Sequence, residues 1–195
     1  RSRRQRQMCI RDRFKVEDFK SPVLVGSHFE ELTAKDLEGK WSVFFFYPGD
    51  FTFVCPTELE DLQNNYRNFK DAGCEVYAVS TDSEFVHKAW KDHSDRVSKV
   101  EYPMVSDRNF ELSKMFGVLI PEEGQALRGS FVVSPECEIV AYEIHSPGIG
   151  RSAKELIRKV KAAQFVHDHG DQVCPANWEE GDETLSPGID LVGKL

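Results

Sequence analysis

The sequence predicts an α/β domain in which a central mixed β-sheet is flanked by helices and followed by a C-terminal arm. Three observations lead there. Trp41–Tyr47 (WSVFFFY) is an unbroken apolar run of strand length, as expected for a strand buried on both faces. Strand-type and helix-type patterns then alternate, the order expected of a sheet whose strands are joined by helical crossovers. A chain of 195 residues with 40% apolar and 11% aromatic side chains suits one domain with a substantial core.

Each element has its own signal. Pro48-Gly49-Asp50 ends the first strand with turn chemistry. Leu59, Leu62, Tyr66 and Phe69 recur at helical spacing, and Gly73 stops that helix. Glu75–Ser80 reads as a second strand. Thr81-Asp82-Ser83 supplies caps for a helix running to about His93. Asn109–Phe116 reads as a short helix ended by Gly117. Ser130–Ser134 and Glu138–His145 read as strands around a turn at Pro135-Glu136, the second of them an exposed sheet edge. Ala153, Leu156, Ile157, Val160 and Ala163 mark one face of a last helix. A strand–helix–strand–helix unit followed by a hairpin and a terminal helix is a thioredoxin-like layout. The expected division is a basic segment over 1–13, the domain over 14–168 and an arm over 169–195. Past Gly170 no period survives, yet the arm holds Cys174, Trp178 and several apolar residues, groups with which a tail docks on a partner subunit.

Charge excludes some functions. The first 13 residues carry six arginines and one aspartate, net +5, which leaves −13 on the rest of a chain whose total is −8. The segment RSRRQRQMCIRDR lacks the apolar stretch of a secretory signal, and no amphipathic transit helix can be drawn through it. It resembles translated sequencing-adapter sequence and is expected to be non-native or disordered. The acidic remainder argues against nucleic acid as a partner. The absence of an 18-residue apolar run argues against a membrane span.

Five cysteines, at 9, 55, 74, 137 and 174, include no C-x-x-C pair, which disfavours structural zinc, a thioredoxin-style dithiol and a secreted disulfide framework. A cytoplasmic location is expected. With no haem, flavin, nucleotide or metal motif, the expected chemistry is thiol-only, without a cofactor. Cys74 and Cys137 read as structural or incidental, Cys137 being exposed in its turn. Cys55 differs. It lies at the N-terminus of the first helix, at the end of the sheet where α/β domains place ligands. Either Cys55 is the cap, with Pro56 and Glu58 at the first and third helical positions, or Thr52 is. Both arrangements aim free N–H groups and the positive end of the helix dipole at the sulfur, favouring the nucleophilic thiolate. Thr52, three residues earlier, shares the sulfur's face of the turn. Pro48 lacks an N–H and can shield the thiol from water. Arg128 can reach the same sheet end, although a lone arginine is as readily a solvated surface group.

YPGDFTFVCPTELEDLQ resembles the active-site segment of peroxiredoxins, with Pro48, Thr52 and Cys55 in the P-x-x-x-T-x-x-C pattern. VSTDSEFVHKAW, LRGSFVVSP, the GIGRS turn and the tail VCPANWEEG…LSPGIDLVGKL continue the likeness over residues 20–195. The tail makes it similar to typical two-cysteine members of the alkyl hydroperoxide reductase C (AhpC) type. The resemblance implies that Cys55 is the peroxidatic cysteine and that Thr52 and Arg128 bind and polarise the peroxide. Pro48 would shield the site, and Glu58 and Arg151 would form a supporting network. Cys174 would be the resolving cysteine, acting across a subunit boundary. It also implies a hydroperoxide substrate, recycling by an AhpF-type flavoprotein reductase or a thioredoxin, and homodimers assembling to a decamer. Ser130 stands where the family usually has threonine, a change that leaves Arg128 untouched. The GGLG insertion and Tyr-Phe tail of overoxidation-sensitive members are missing, which implies a robust enzyme.

Three rival readings carry less weight. A Cys–His hydrolase needs a base, and none of His28, His87, His93, His145, His167 and His169 lies in a recognisable motif. A metal site on His167, His169 and Cys174 suffers from the i, i+2 spacing of its histidines. A chaperone or scaffold role is compatible with the same fold.

Overall fold

The computed structural model describes residues 14–193; the basic segment 1–13, with Cys9, lies outside the described residues. In chain order the elements are β1 (Lys20–Val25), β2 (His28–Thr33), β3 (Trp41–Phe46), α1 (Cys55–Asp71), β4 (Cys74–Ser80), α2 (Glu84–His93), β5 (Met104–Ser106), α3 (Glu111–Met115), β6 (Leu119–Ile120), β7 (Gln125–Ala126), β8 (Arg128–Val133), β9 (Ile139–His145) and α4 (Ala153–Asp168). Among the described residues, seven strands form one mixed sheet in the order β2-β1-β5-β4-β3-β8-β9.

The apolar run 41–47 becomes β3, parallel to β4 on one side and antiparallel to β8 on the other. Period-two alternation then divides its residues between two cores. Val43 and Phe45 join a cluster with Leu59 and Leu62 of α1, Leu156 and Val160 of α4, and Trp90 of α2. Phe44 and Phe46 join a second cluster with Leu112, Phe116 and Phe131. There the Phe116 ring lies 5.0 Å from Phe44, 5.1 Å from Phe46 and 4.9 Å from Phe131. Burial of each such side chain contributes ~1.5–3 kcal/mol. Gly73 takes a left-handed φ of +64° just past α1, which lets the chain turn into β4 without a Cβ clash.

The expected strands and helices are present, and β9 is a sheet edge as anticipated. Ser83 and Ser152 cap α2 and α4, their side chains accepting from the Val86 and Glu155 amides. Other features differ from the sequence reading. β1 and β2 form an antiparallel hairpin that the pattern hid, because KSPVLV contains Pro22 and HFEELT is mostly exposed. β5, β6 and β7 are too short to show a period. Cys137 is not exposed. It is 5% accessible, adopts φ +62°, and its carbonyl accepts from the Val16 amide of the segment that covers it. The arm folds back on α4, with Val173 and Leu185 exchanging backbone hydrogen bonds of 2.9 and 3.0 Å.

Candidate active site

β3 delivers the chain to a loop, Pro48–Val54, whose shape is fixed by buried polar groups. Tyr47 Oη donates to Asp50 Oδ1 at 2.8 Å, and His87 Nδ1 lies 2.7 Å from Asp50 Oδ2. The Asp50 amide donates to Asp82 Oδ2 at 2.8 Å, and Ser80 Oγ donates to the same oxygen. His87 Nε2 faces the Val105 carbonyl at 3.2 Å. Burial disfavours a charged His87, but the bond to Asp50 and its charge outweigh that and hold the imidazole above its ordinary range. With acceptors at both ring nitrogens, it is the doubly protonated form that fits. Phe51 follows with a left-handed φ of +55°, its ring 6.0 Å from that of Trp90. Sequence reasoning missed this network because Asp50 and His87 are 37 positions apart and neither lies in a pattern of its own.

α1 begins at Cys55, and Val54 is its N-cap with helical φ and ψ, so neither Thr52 nor Cys55 caps the helix. Pro56 follows Cys55 in the first turn, and Glu58 sits one place later than the third helical position. The sulfur remains at the helix N-terminus and is 0% exposed. Thr52 Oγ1 donates to the Gly49 carbonyl at 2.8 Å, which leaves its lone pairs available to accept a hydrogen bond. Pro48 is buried at the start of the loop.

Two arginines complete the site, one at a strand end and one just before the last helix. Arg128, the first residue of β8, is 3% exposed. Its Nε donates to the Pro147 carbonyl at 2.7 Å, and its Nη1 lies 2.6 Å from Glu58 Oε2 and 3.3 Å from Cys55 Sγ. Arg151 reaches Glu58 through its amide (2.8 Å), Nε (2.9 Å) and Nη2 (3.1 Å). Its Nη1 donates to the Gly129 carbonyl and to Ser130 Oγ. Burial works against the Glu58 charge, but the Arg151 hydrogen bonds and the charges of both arginines reverse that and hold the carboxyl below its ordinary range. Two guanidinium groups and one carboxylate leave one buried positive charge uncompensated. Arg128 presents that charge to Cys55 Sγ at 3.3 Å.

Arg128 depends on its neighbour. A Cβ at Gly129 would lie 2.7 Å from Phe131 Cε2 and 2.8 Å from Val118 Cγ1, so only glycine lets β8 lie this close to the second core.

Cys174 is half-buried on the other side of α4, its Sγ 3.8 Å from the Ala162 carbonyl in a groove floored by Trp41, Val140, Ala163 and Val166. Cys55, Cys74, Cys137 and Cys174 are all free thiols. Burial and Glu75 push Cys74 up to about 12, which makes it a poor nucleophile. His87 is committed at both nitrogens, and His167 pairs with Asp168 and Glu136, so neither serves Cys55 as a base. Among the described residues no group of three His, Cys, Asp or Glu side chains is arranged to hold a metal.

A buried thiol at a helix N-terminus, backed by a guanidinium on a thioredoxin-like sheet, defines a thiol-dependent oxidoreductase. Residues 13–142 match the AhpC/TSA family, and residues 162–190 match the C-terminal domain of 1-Cys peroxiredoxin. Alkyl hydroperoxide reductase C of Staphylococcus epidermidis is 54% identical over 86% of this chain and 88% of its own length; that of Escherichia coli (strain K12) is 50% identical over 93% and 97%. Enterococcus faecalis AhpC superposes with a TM-score of 0.83 at 50% identity, over 85% of this chain and 99% of its own. A reduced 2-Cys peroxiredoxin of Plasmodium vivax gives 0.86 at 29% identity, over 90% and 93%. The chain belongs to the AhpC/TSA family of thiol-dependent peroxidases.

Proposed function

We propose that Cys55 is the peroxidatic thiolate of a two-cysteine cycle in which hydrogen peroxide and organic hydroperoxides are the substrates. The thiolate attacks the terminal oxygen of the hydroperoxide, the O–O bond breaks, and the leaving oxygen takes up a proton from solvent as alcohol or water. Cys55 becomes sulfenic acid. Thr52 accepts a hydrogen bond from the hydroperoxide O–H, and Arg128 steadies the charge that develops along the breaking bond. Pro48 limits water at the sulfur, while Glu58 and Arg151 set the aim of Arg128. The Cys174 thiol of a second copy then condenses with the sulfenic acid, releasing water and leaving an intersubunit disulfide. An external dithiol, from an AhpF-type flavoprotein or a thioredoxin, restores both thiols by exchange.

The observation that carries this reading is the 3.3 Å approach of Arg128 Nη1 to Cys55 Sγ, with the same nitrogen held 2.6 Å from Glu58. Pairing through the free β9 edge would build the dimer, and dimers would build a decamer. Cytoplasmic action fits four free thiols, and no described helix is long and apolar enough to cross a membrane.

Intact mass after one equivalent of peroxide tests the cycle. The wild type is expected to run as a covalent dimer that has lost two hydrogens per bridge, and Cys174→Ser to gain one oxygen on Cys55. A Cys55→Ser protein that still consumed peroxide would refute the assignment.

A further inference from the structure

Behind the two arginines stands a second row of charge that plays no part in the chemistry at Cys55. In the β8–β9 pair Ser130 lies opposite Glu143, and Arg128 lies opposite His145. Opposite residues share a face of the sheet, their Cβ atoms about 4.5–5.5 Å apart. Glu143 and His145 are therefore on the α4 side, beside the side chains that form the active-site network. Arg151 Nη1 donates to Ser130 Oγ at 3.1 Å, so a single side chain separates Arg151 from Glu143. The Glu143 charge is among those that act on the Arg151 guanidinium.

That carboxylate is engaged from α4. Lys159 Nζ lies 2.5 Å from Glu143 Oε2 and 3.7 Å from Glu155 Oε1. Glu155 is itself taken by Arg158, at 2.8 and 2.9 Å. His145 Nε2 stands 3.6 Å from the same Glu143 oxygen, and its buried Nδ1 has no hydrogen-bond partner among the described residues. Lys159 and Glu143 are both partly buried, where charge is screened less than on an open surface. The row in front of them has a sign. Arg128, Arg151 and Glu58 carry one net positive charge, and Arg128 holds it 3.3 Å from Cys55 Sγ. A lone Glu143 would cancel that charge from behind; a Glu143 paired with Lys159 does not.

We propose that Lys159 neutralises Glu143 so that the surplus positive charge of the arginine pair stays directed at Cys55, favouring its thiolate. Lys159 is a positioning residue: it touches neither the sulfur nor the peroxide. Its role rests on Cys55 being the peroxidatic thiolate. The charged groups around Cys55 are Arg128 of β8, Glu58 of α1 and, through Glu58, Arg151. Those around Glu143 are Lys159 of α4, with Glu155 behind it, His145 of its own strand, and Arg151.

Stopped-flow profiles of kcat/KM for hydrogen peroxide against pH, on the full chain, read this charge. Lys159→Met is expected to move the acid limb upward, so that the rate at pH 5 falls about fivefold while the alkaline plateau stays within about twofold of wild type. That is the scale of one partly buried unit charge acting past a neighbouring side chain. Adding His145→Asn removes the other side chain able to carry positive charge against Glu143, and is expected to widen the loss. Adding Glu143→Gln to Lys159→Met is expected to restore the wild-type limb, and Lys159→Arg to keep it. Glu143→Gln alone leaves Lys159 unpaired and is expected to move the limb downward, a change of opposite sign that does not depend on Lys159→Met folding. A limb unmoved in both single variants would overturn the role of Lys159 alone. So would a plateau that falls with the limb in Lys159→Met and is not rescued by Glu143→Gln. A wild type that consumed no peroxide, or a Cys55→Ser protein that still did, would overturn the Cys55 reading and this role together.

Discussion

The guanidinium of Arg151 lies flat against the ring of Phe45, 3.5 Å from its centroid, while its nitrogens hold both oxygens of Glu58. A core phenylalanine of the central strand thus fixes the plane of one arginine, which fixes a carboxylate, which fixes the second arginine beside the sulfur. Lysine cannot reproduce a planar fork stacked on a ring. Arg151→Lys is expected to lower kcat/KM for peroxide about tenfold or more, with the Cys55–Cys174 exchange by reductant unaffected. A wild-type second-order rate in stopped-flow assays would count against the chain of contacts.

Glu58→Gln removes the one carboxylate between the arginines. The amide cannot accept from both guanidinium groups as the carboxylate does, and Arg128 loses its fixed aim. A fall of about a hundredfold in kcat/KM is expected, the usual scale for disturbing a preorganised donor. Arg128→Ala should cost at least as much. Competition assays against a reporter peroxidase measure both.

The Asp50–His87 pair links loop stability to pH. The folded-state value of His87 is raised, so its contribution is fully present below the ordinary histidine value of 6.5 and is lost as pH rises through the folded value. Asp50, Asp82 and the Val105 carbonyl are the groups that face it. The urea midpoint of the wild type should exceed that of His87→Gln at pH 6, and the gap should close towards pH 9. A gap that widened with pH would reverse the argument. At the acid end Glu58 acts oppositely: its depressed folded value contributes stability above 4.5 that is lost as pH falls.

Phe116 touches Phe44, Phe46 and Phe131 and is 2% exposed. Phe116→Ala leaves a cavity that three strand-borne rings cannot fill, and a loss of about 3–5 kcal/mol is expected. Urea unfolding should show a lower midpoint with an unchanged slope.

Gly129→Ala tests the approach of β8 to the second core. Overpacking of this kind costs about 1–3 kcal/mol, and here the strain falls on the residue next to Arg128. Stability and peroxide rate should both drop, whereas Ser130→Thr, at the position of the family's usual threonine, should keep the rate.

Much of this was legible in the residues. The run 41–47 had to be an inner strand, Gly73 had to end a helix, and a thiol between a strand and a helix had to meet the amide-rich end of that helix. The β1–β2 hairpin was not legible, because Pro22 and the polar HFEELT give neither a clean alternation nor a turn of known type. Burial of Cys137 was hidden for another reason: its turn is covered by residues 14–16, far away in sequence. Val54 as cap was missed because it has no side-chain acceptor and caps by backbone geometry alone. The Arg128–Cys55 approach joins positions 73 apart and rested on resemblance until the sheet order brought them together.

The two rims of the sheet are unlike. β9 offers Val140 and Tyr142 half-open to solvent, whereas β2 carries Glu30 and Glu31 outward, with Glu31 already tied to Lys20 at 2.8 Å. β2 also exposes Phe29, but there it stands beside the two glutamates. A copy docking rim to rim through β9, as proposed, would use up that rim in both molecules, so the sheet itself would end at a closed pair and larger assemblies would have to use other surfaces.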